Sequence, residues 1–426
     1  MSILIKDGRV IDPVNNIDGV YDILVKNDKI AKVAKAIKAD GVKIIDAKGK
    51  IVVPGLIDMH THLRQPGRED EETFASGSRA AARGGFTTIC AMPNTEPVCD
   101  NRGAVEYIIS ESKKHAVINI LPIGAITVGQ KGEGLTEVSD MGKAGIAAIS
   151  DDGFSVKNTQ LMRKALEYAG MYDVLVISHC EDLGLTSGGA MNEGLNSTLL
   201  GMRGVPNASE AVIVARDIQL AKLTGARLHI AHVSTKEAVH LIRQAKREGI
   251  KVTAETCPHY LLLTDDAVKR LETNYKVNPP LRAKEDIKAV KEALKDSTID
   301  VIATDHAPHA EAEKDVEFDL AASGMIGLET ALALIIEELV AKNIISWGEL
   351  VSRMSSTPAR ILGLKQKGSL SEGYDADITI IDPEAEWVFK KEEILSRSKN
   401  SPFIGRRLKG RVLYTICSGK VVYEPQ

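Results

Sequence analysis

The chain has 426 residues, 44% hydrophobic and 26% charged, with a formal net charge of −4; this length fits a large α/β domain with an accessory one, and the balanced charge provides no surface for nucleic acid or an anionic membrane. Five scattered cysteines, Cys90, Cys99, Cys180, Cys257 and Cys417, show no Cys-x-x-Cys spacing, which fits a reducing compartment without a disulfide framework. The segment Met1-Ser2-Ile3-Leu4-Ile5-Lys6-Asp7 offers no signal-peptide core and no apolar run approaches the ~20 residues of a membrane helix, so a soluble cytoplasmic protein is expected.

In chain order, the first elements are short β-type runs, Ile3 to Ile5, Asp22 to Val25 and Val42 to Ile45, separated by Asp-Gly, Asn-Asp and Lys-Gly turn signals. From Ile51 the pattern becomes strand then helix. Candidate strands are Ile51 to Ile57, Thr87 to Ala91, Ile118 to Gly124, Ile146 to Ile149, Val174 to Ser178, Arg227 to Ala231, Lys251 to Ala254 and Ile299 to Ala303. Helix-like segments lie between them, among them Ala75 to Arg83, Thr159 to Ala169, Ala208 to Thr224 and Thr235 to Glu248; Ala331 to Val340 reads as a further buried helix. β-type runs return at Ala376 to Ile381, Val412 to Ile416 and Val421 to Tyr423.

Eight strand–helix units predict an α/β fold, a (β/α)₈ TIM-like barrel over residues 55–365. The antiparallel β-type runs at the two chain ends, 1–54 and 366–426, are expected to pair into one small composite β-sandwich domain. A doubly wound open sheet would alternate similarly, but no Gly-x-Gly-x-x-Gly follows the first strand. The Gly-rich segment 181–206 and the acidic, Gly-containing segment 310–327 read as mobile lids over the barrel mouth.

In such a barrel, chemistry sits where the strands end. Strand one ends in Asp58-Met59-His60-Thr61-His62-Leu63-Arg64; side chains alternate along a strand, so His60 and His62 point the same way and suit one cation between them. Strand four ends in Asp151-Asp152, strand five in His179-Cys180, strand six in His232 and strand eight in Asp305-His306-Ala307-Pro308-His309, so six of the ten histidines fall at strand ends. A metal centre is the reading this joint pattern supports. His115, His229 and His240 are assigned to packing or surface, His229 to the barrel wall. His259, after strand seven, reads first as a turn residue behind the ligands and second as a direct participant. Of Asp151 and Asp152, one is expected to be only a helix cap.

The strand-one segment, together with Ala303-Thr304-Asp305-His306-Ala307-Pro308-His309 and Lys314, resembles the two signatures of dihydroorotases in the amidohydrolase superfamily. Ala91-Met92-Pro93-Asn94-Thr95, Ile149 to Gly153, Lys276 to Arg282, Gly368 to Asp377 and Ser401 to Gly405 extend the likeness over essentially the whole chain. The resemblance implies that His60, His62 and Asp305 bind one zinc ion (Zn2+) and His179 and His232 a second, with Asp152 bridging. Many relatives bridge with a carboxylated lysine; this chain is similar to the longer type with aspartate there, which leaves open one or two metals.

The implied activity is the reversible cyclisation of N-carbamoyl-L-aspartate to L-dihydroorotate in pyrimidine biosynthesis, through zinc-activated water, with Asp305 as the acid–base residue. Arg64, Asn94, Asn278 and His309 are the implied substrate contacts. Homo-oligomerisation and a complex with aspartate transcarbamoylase are implied partners. Alternatives are a hydantoinase or allantoinase, or a weakly active dihydroorotase-like subunit needing the transcarbamoylase. Cys180, beside His179, reads first as a buried free cysteine and second as a thiolate that swings in to block the metal.

Overall fold

The computed structural model describes residues 2–425. The chain starts with β1 (Ser2–Asp12), β2 (Ile17–Lys26), β3 (Lys29–Ala34), β4 (Lys43–Asp46) and β5 (Ile51–Pro54). Eight barrel strands follow, β6 (Leu56–Thr61), β7 (Phe86–Ala91), β8 (Asn119–Gly124), β9 (Ala148–Ser150), β10 (Leu175–Ser178), then, past a small ladder of β11 (Met191–Asn192) and β12 (Gly204–Val205), β13 (Leu228–Ile230), β14 (Val252–Thr256) and β15 (Val301–Ile302). The chain ends with β16 (Ile378–Val388), β17 (Arg407–Cys417) and β18 (Lys420–Tyr423).

The barrel strands pair in parallel in the order β15-β14-β13-β10-β9-β8-β7-β6. Its ends meet where Thr61 bridges His306 in parallel and the His62 amide donates to the His306 carbonyl at 2.8 Å. All strands therefore end at one mouth. The helices around them form by apolar spacing and capping: Lys236–Arg247 buries Ala238, Val239, Ile242 and Ala245 along one face, and the Thr235 side chain at its start accepts from the Ala238 amide. The observed helices Phe74–Arg83, Thr159–Met171 and Ala208–Thr224 agree with expectation to within two residues. Among the described residues no helix is long and apolar enough to cross a membrane.

Both chain ends join one sheet, β18-β17-β16-β5-β1-β2-β3, with β4 also on β1, around a core of Ile3, Ile5, Val25, Val52, Ile378 and Ile416 among others. It is mixed rather than wholly antiparallel, because β1 runs parallel to both β4 and β5. The apolar run expected as the first barrel strand, Ile51 to Ile57, is divided. Its first half pairs with β16 as β5 and its second with β7 as β6. The break is at Gly55, whose amide donates to the Asp377 carbonyl at 2.8 Å and where any Cβ would collide with the Thr87 side chain.

Candidate metal centre

Six of the expected side chains converge at the mouth, and all six are buried. His60 Nε2 lies 3.3 Å from Asp152 Oδ2 and 3.5 Å from Asp305 Oδ1; His62 Nε2 lies 3.4 and 3.2 Å from the same two atoms. The other oxygen of Asp152, Oδ1, faces His179 Nδ1 at 3.4 Å and His232 Nε2 at 3.5 Å. Asp152 thus stands between two histidine pairs, one per oxygen. His60, His62 and Asp305 offer ligand atoms within 4.8 Å of one another, as do His60, Asp152 and His232.

The electrostatics ask for a cation. Burial opposes charge on His60, yet Asp152, Asp305 and Glu255 outweigh it and hold the imidazole well above its ordinary pKa. Burial likewise raises the Asp152 and Asp305 carboxyls, and the imidazoles, His60 first, more than reverse this, leaving both below the usual carboxylate range. His60 Nε2, on one side of Asp152, and Asp152 Oδ1, on the other, are buried without a hydrogen-bond partner, a costly state that bound metal would relieve. Imidazole nitrogens with carboxylate oxygens are a donor set that suits zinc, so the residues fit the implied metal.

Backbone geometry supports the convergence. Arg64, His232 and Asp305, all at strand ends, have φ of 59°, 32° and 48°, the left-handed region uncommon for residues with a side chain. Each turns its side chain off the strand's pleat.

Behind the ligands stand residues that the sequence reading missed. Glu255 Oε1 accepts from His60 Nδ1 at 2.7 Å, which leaves Nε2 for the centre. Glu255 Oε2 meets His229 Nε2 at 3.2 Å, and His229 Nδ1 meets Thr253 Oγ1 at 2.8 Å, so the expected barrel-wall histidine belongs to a buried polar chain ending at His60, a candidate ligand. Glu181 Oε2 holds His179 Nε2 at 2.8 Å. The available signal was a carboxylate directly after the expected strand Lys251 to Ala254, and one two residues beyond an expected ligand.

The expected substrate contacts lie around the same mouth with their own partners. Arg64 Nε contacts Glu71 Oε2 and the Pro308 carbonyl, each at 3.0 Å, and its Nη2 reaches His309 Nε2 at 3.3 Å. His309 Nδ1 contacts Glu71 and Glu313. Asn94 Oδ1 accepts from His62 Nδ1 at 2.8 Å, so Asn94 also orients a ligand. Asn278 donates to Glu181 Oε2 at 2.9 Å. Lys314 donates to the Ala322 and Gly324 carbonyls and fastens a loop.

Cys180 is a buried free cysteine, as the first of its two readings has it: its thiol packs in the apolar layer and approaches Ser178 Oγ at 3.5 Å, because one step along the chain from His179 turns the side chain to the other face. The carboxylate neighbouring Asp152 is not a helix cap. Asp151 accepts from the Ile126 and Thr127 amides and the Thr127 hydroxyl, tying two strand-end loops together, while Asn158 caps the helix that follows. The segments expected as lids carry local structure: 181–206 holds the helices Leu183–Thr186 and Leu195–Leu200 and the β11–β12 ladder, and 310–327 opens with the helix Glu311–Lys314.

A closed parallel barrel whose mouth gathers histidines and aspartates around a shared carboxylate is the architecture of amidohydrolases, and residues 327–423 match an amidohydrolase family model. A dihydro-orotase-like model matches residues 49–238. A dihydroorotase of Endomicrobium trichonymphae is 54% identical over 424 residues, spanning 100% of both chains, and one of Acetivibrio thermocellus is 53% identical over 98% of each. The chain belongs to the dihydroorotase family. Among solved structures, an L-hydantoinase (dihydropyrimidinase) from Arthrobacter aurescens has a TM-score of 0.90 at 27% identity, covering 99% of this chain and 96% of its own.

Proposed function

We propose that the protein is a dihydroorotase that interconverts N-carbamoyl-L-aspartate and L-dihydroorotate in pyrimidine biosynthesis, and that His60, His62, Asp152, His179, His232 and Asp305 would hold one or two zinc ions. The observation that carries the metal reading is the split of the Asp152 oxygens between two histidine pairs. On this reading residues 55–365 are the catalytic domain and 1–54 with 366–426 a composite supporting one.

Bound zinc supplies Lewis-acid polarisation of the ring amide and a water acidified toward pKa ~7. The protein's side chains do the rest. In the hydrolytic direction Asp305, with Oδ1 3.2 Å from His62 Nε2, takes one proton from the attacking water and hands it to the ring nitrogen as the C–N bond breaks; cyclisation runs the same transfer in reverse and releases water. Arg64 lies beside the ligands with a guanidinium already aligned by Glu71, the Pro308 carbonyl and His309, which suits it to receive the exocyclic carboxylate. Asn94 and Asn278 add amide donors at the same mouth.

Identity of 53–54% to dihydroorotases over nearly the whole chain, against 25–27% to the hydantoinases, supports this activity over the hydantoinase alternative. The test is turnover of dihydroorotate and of hydantoin by zinc-loaded protein, alone and with aspartate transcarbamoylase. Hydantoin turnover without dihydroorotate turnover overturns the proposal, and activity only with the transcarbamoylase marks a dependent subunit. Cytoplasmic residence and homo-oligomerisation belong to the same reading.

A further inference from the structure

Strand β14 brings more to the mouth than the six ligands use. Glu255 contacts His60, and past the end of β14 the chain continues as Cys257-Pro258-His259, with Cys257 beside an apolar cluster that includes Tyr260 and Met325 and His259 opening the short helix His259–Leu262. Cys257 is 0% and His259 3% exposed. One ligand atom from each of Cys257, His259 and Asp305 lies within 4.8 Å of the others. His259 Nε2 has no hydrogen-bond partner, a state that costs about 1–3 kcal/mol for a buried polar group and that a ligand removes. A thiol, an imidazole and a carboxylate are the mixed donors that bind Zn2+, Co2+ and other thiophilic divalent ions, and three protein ligands leave one position for water.

We propose that Cys257, His259 and Asp305 form a further cation site, which takes a thiophilic divalent ion when metal is in excess and silences the enzyme by engaging Asp305. Binding releases the Cys257 thiol proton to solvent and leaves a thiolate on the ion. A carboxylate held this way no longer accepts and returns a proton. The binding stands on geometry alone; the inhibitory consequence rests on the acid–base role proposed for Asp305.

The site is tested on the full chain carrying its resident zinc, titrated with Co2+ and followed by near-ultraviolet absorbance. The six principal ligands contain no sulphur, so cobalt exchanging into their positions gives no thiolate-to-metal charge-transfer band. The expected result is such a band in the parent, its loss in Cys257→Ser, and a requirement for roughly tenfold more cobalt in His259→Asn, the scale of a weakened metal site. In parallel, activity in excess zinc relative to activity with resident zinc falls several-fold in the parent and stays near one in Cys257→Ser.

A parent without the band, or a Cys257→Ser protein that keeps it, overturns the site. If Cys257→Ser does not fold, His259→Asn decides, and unchanged cobalt affinity there overturns it. A band without zinc inhibition refutes the silencing step. A protein that shows the band but never turns over dihydroorotate refutes the proposed function and leaves the site standing.

Discussion

The terminal sheet and the barrel mouth handle buried charge in opposite ways. In the terminal sheet Asp12 is fully buried and fully used: it accepts from the Val14 and Leu370 amides, from Asn15 Nδ2 and from the Ser369 hydroxyl. Asp22 likewise accepts from the Asp7 and Ile37 amides. At the mouth, His60 Nε2, Asp152 Oδ1 and His259 Nε2 are equally buried and have no partner. Both regions bury carboxylates, so burial does not distinguish them. The difference is satisfaction: a sheet that only has to be stable completes its hydrogen bonds internally, whereas a site leaves atoms whose partner arrives from outside.

The comparison can be broken most severely by removing metal. Chelation is expected to reduce turnover below roughly a thousandth of the starting rate, since the acidified water is lost, while far-ultraviolet circular dichroism is retained because neither sheet depends on the ligands. Global unfolding on chelation would mean that the mouth also holds the fold together. Next, Arg64→Met is expected to lower kcat/KM by roughly 100-fold, about 3 kcal/mol for a charged contact, with zinc content unchanged by elemental analysis. Loss of zinc instead would make Arg64 a structural member of the centre.

A smaller effect sharpens the contrast between ligands and the groups behind them. Glu255→Gln preserves shape and removes the charge that fixes His60. Zinc affinity measured by chelator competition is expected to fall ~10- to 100-fold, and unchanged affinity would show that His60 is oriented by packing alone. The smallest catalytic effect is expected in the terminal sheet. Asp12→Ala leaves buried amides unsatisfied and should cost about 1–3 kcal/mol of stability by chemical denaturation, with kcat and zinc content at parent values.

Much of the site was legible because metal ligands at strand ends combine two signals, residue type and a position fixed by the barrel. His60 and His62 needed only strand alternation, whereas the place after β9 left Asp151 and Asp152 open and the family resemblance singled out Asp152. Glu255 was missed, although it directly follows the expected strand Lys251 to Ala254, because histidines at strand ends were weighed ahead of carboxylates; in the structure it lies inside Val252–Thr256, where its charge has to find a buried partner. Cys180 was legible as a buried free cysteine, since the alternation that turns His179 into the mouth sends its neighbour the other way. The segment 181–206 was read as mobile from its glycines. At Gly189 and Gly204 the structure uses the missing side chain for close approach, with Val205 and Glu193 where a Cβ would be, which makes these glycines packing residues rather than hinges. The division at Gly55 was hidden because an unbroken apolar run carries no mark of which sheet each half enters.

That division also sets a timetable. β5 and β6 leave the ribosome together, but β6 pairs with nearby β7 whereas β5 pairs with β16, Val52 with Ile380. Synthesis proceeds from the amino end at ~5–20 residues per second, so the barrel strands are all made before Ile51–Pro54 meets its late neighbour. Through that interval the edge of β5 is an open strand, free to be captured by another chain. The yield of folded protein should therefore depend on how quickly residues 366–426 follow the barrel.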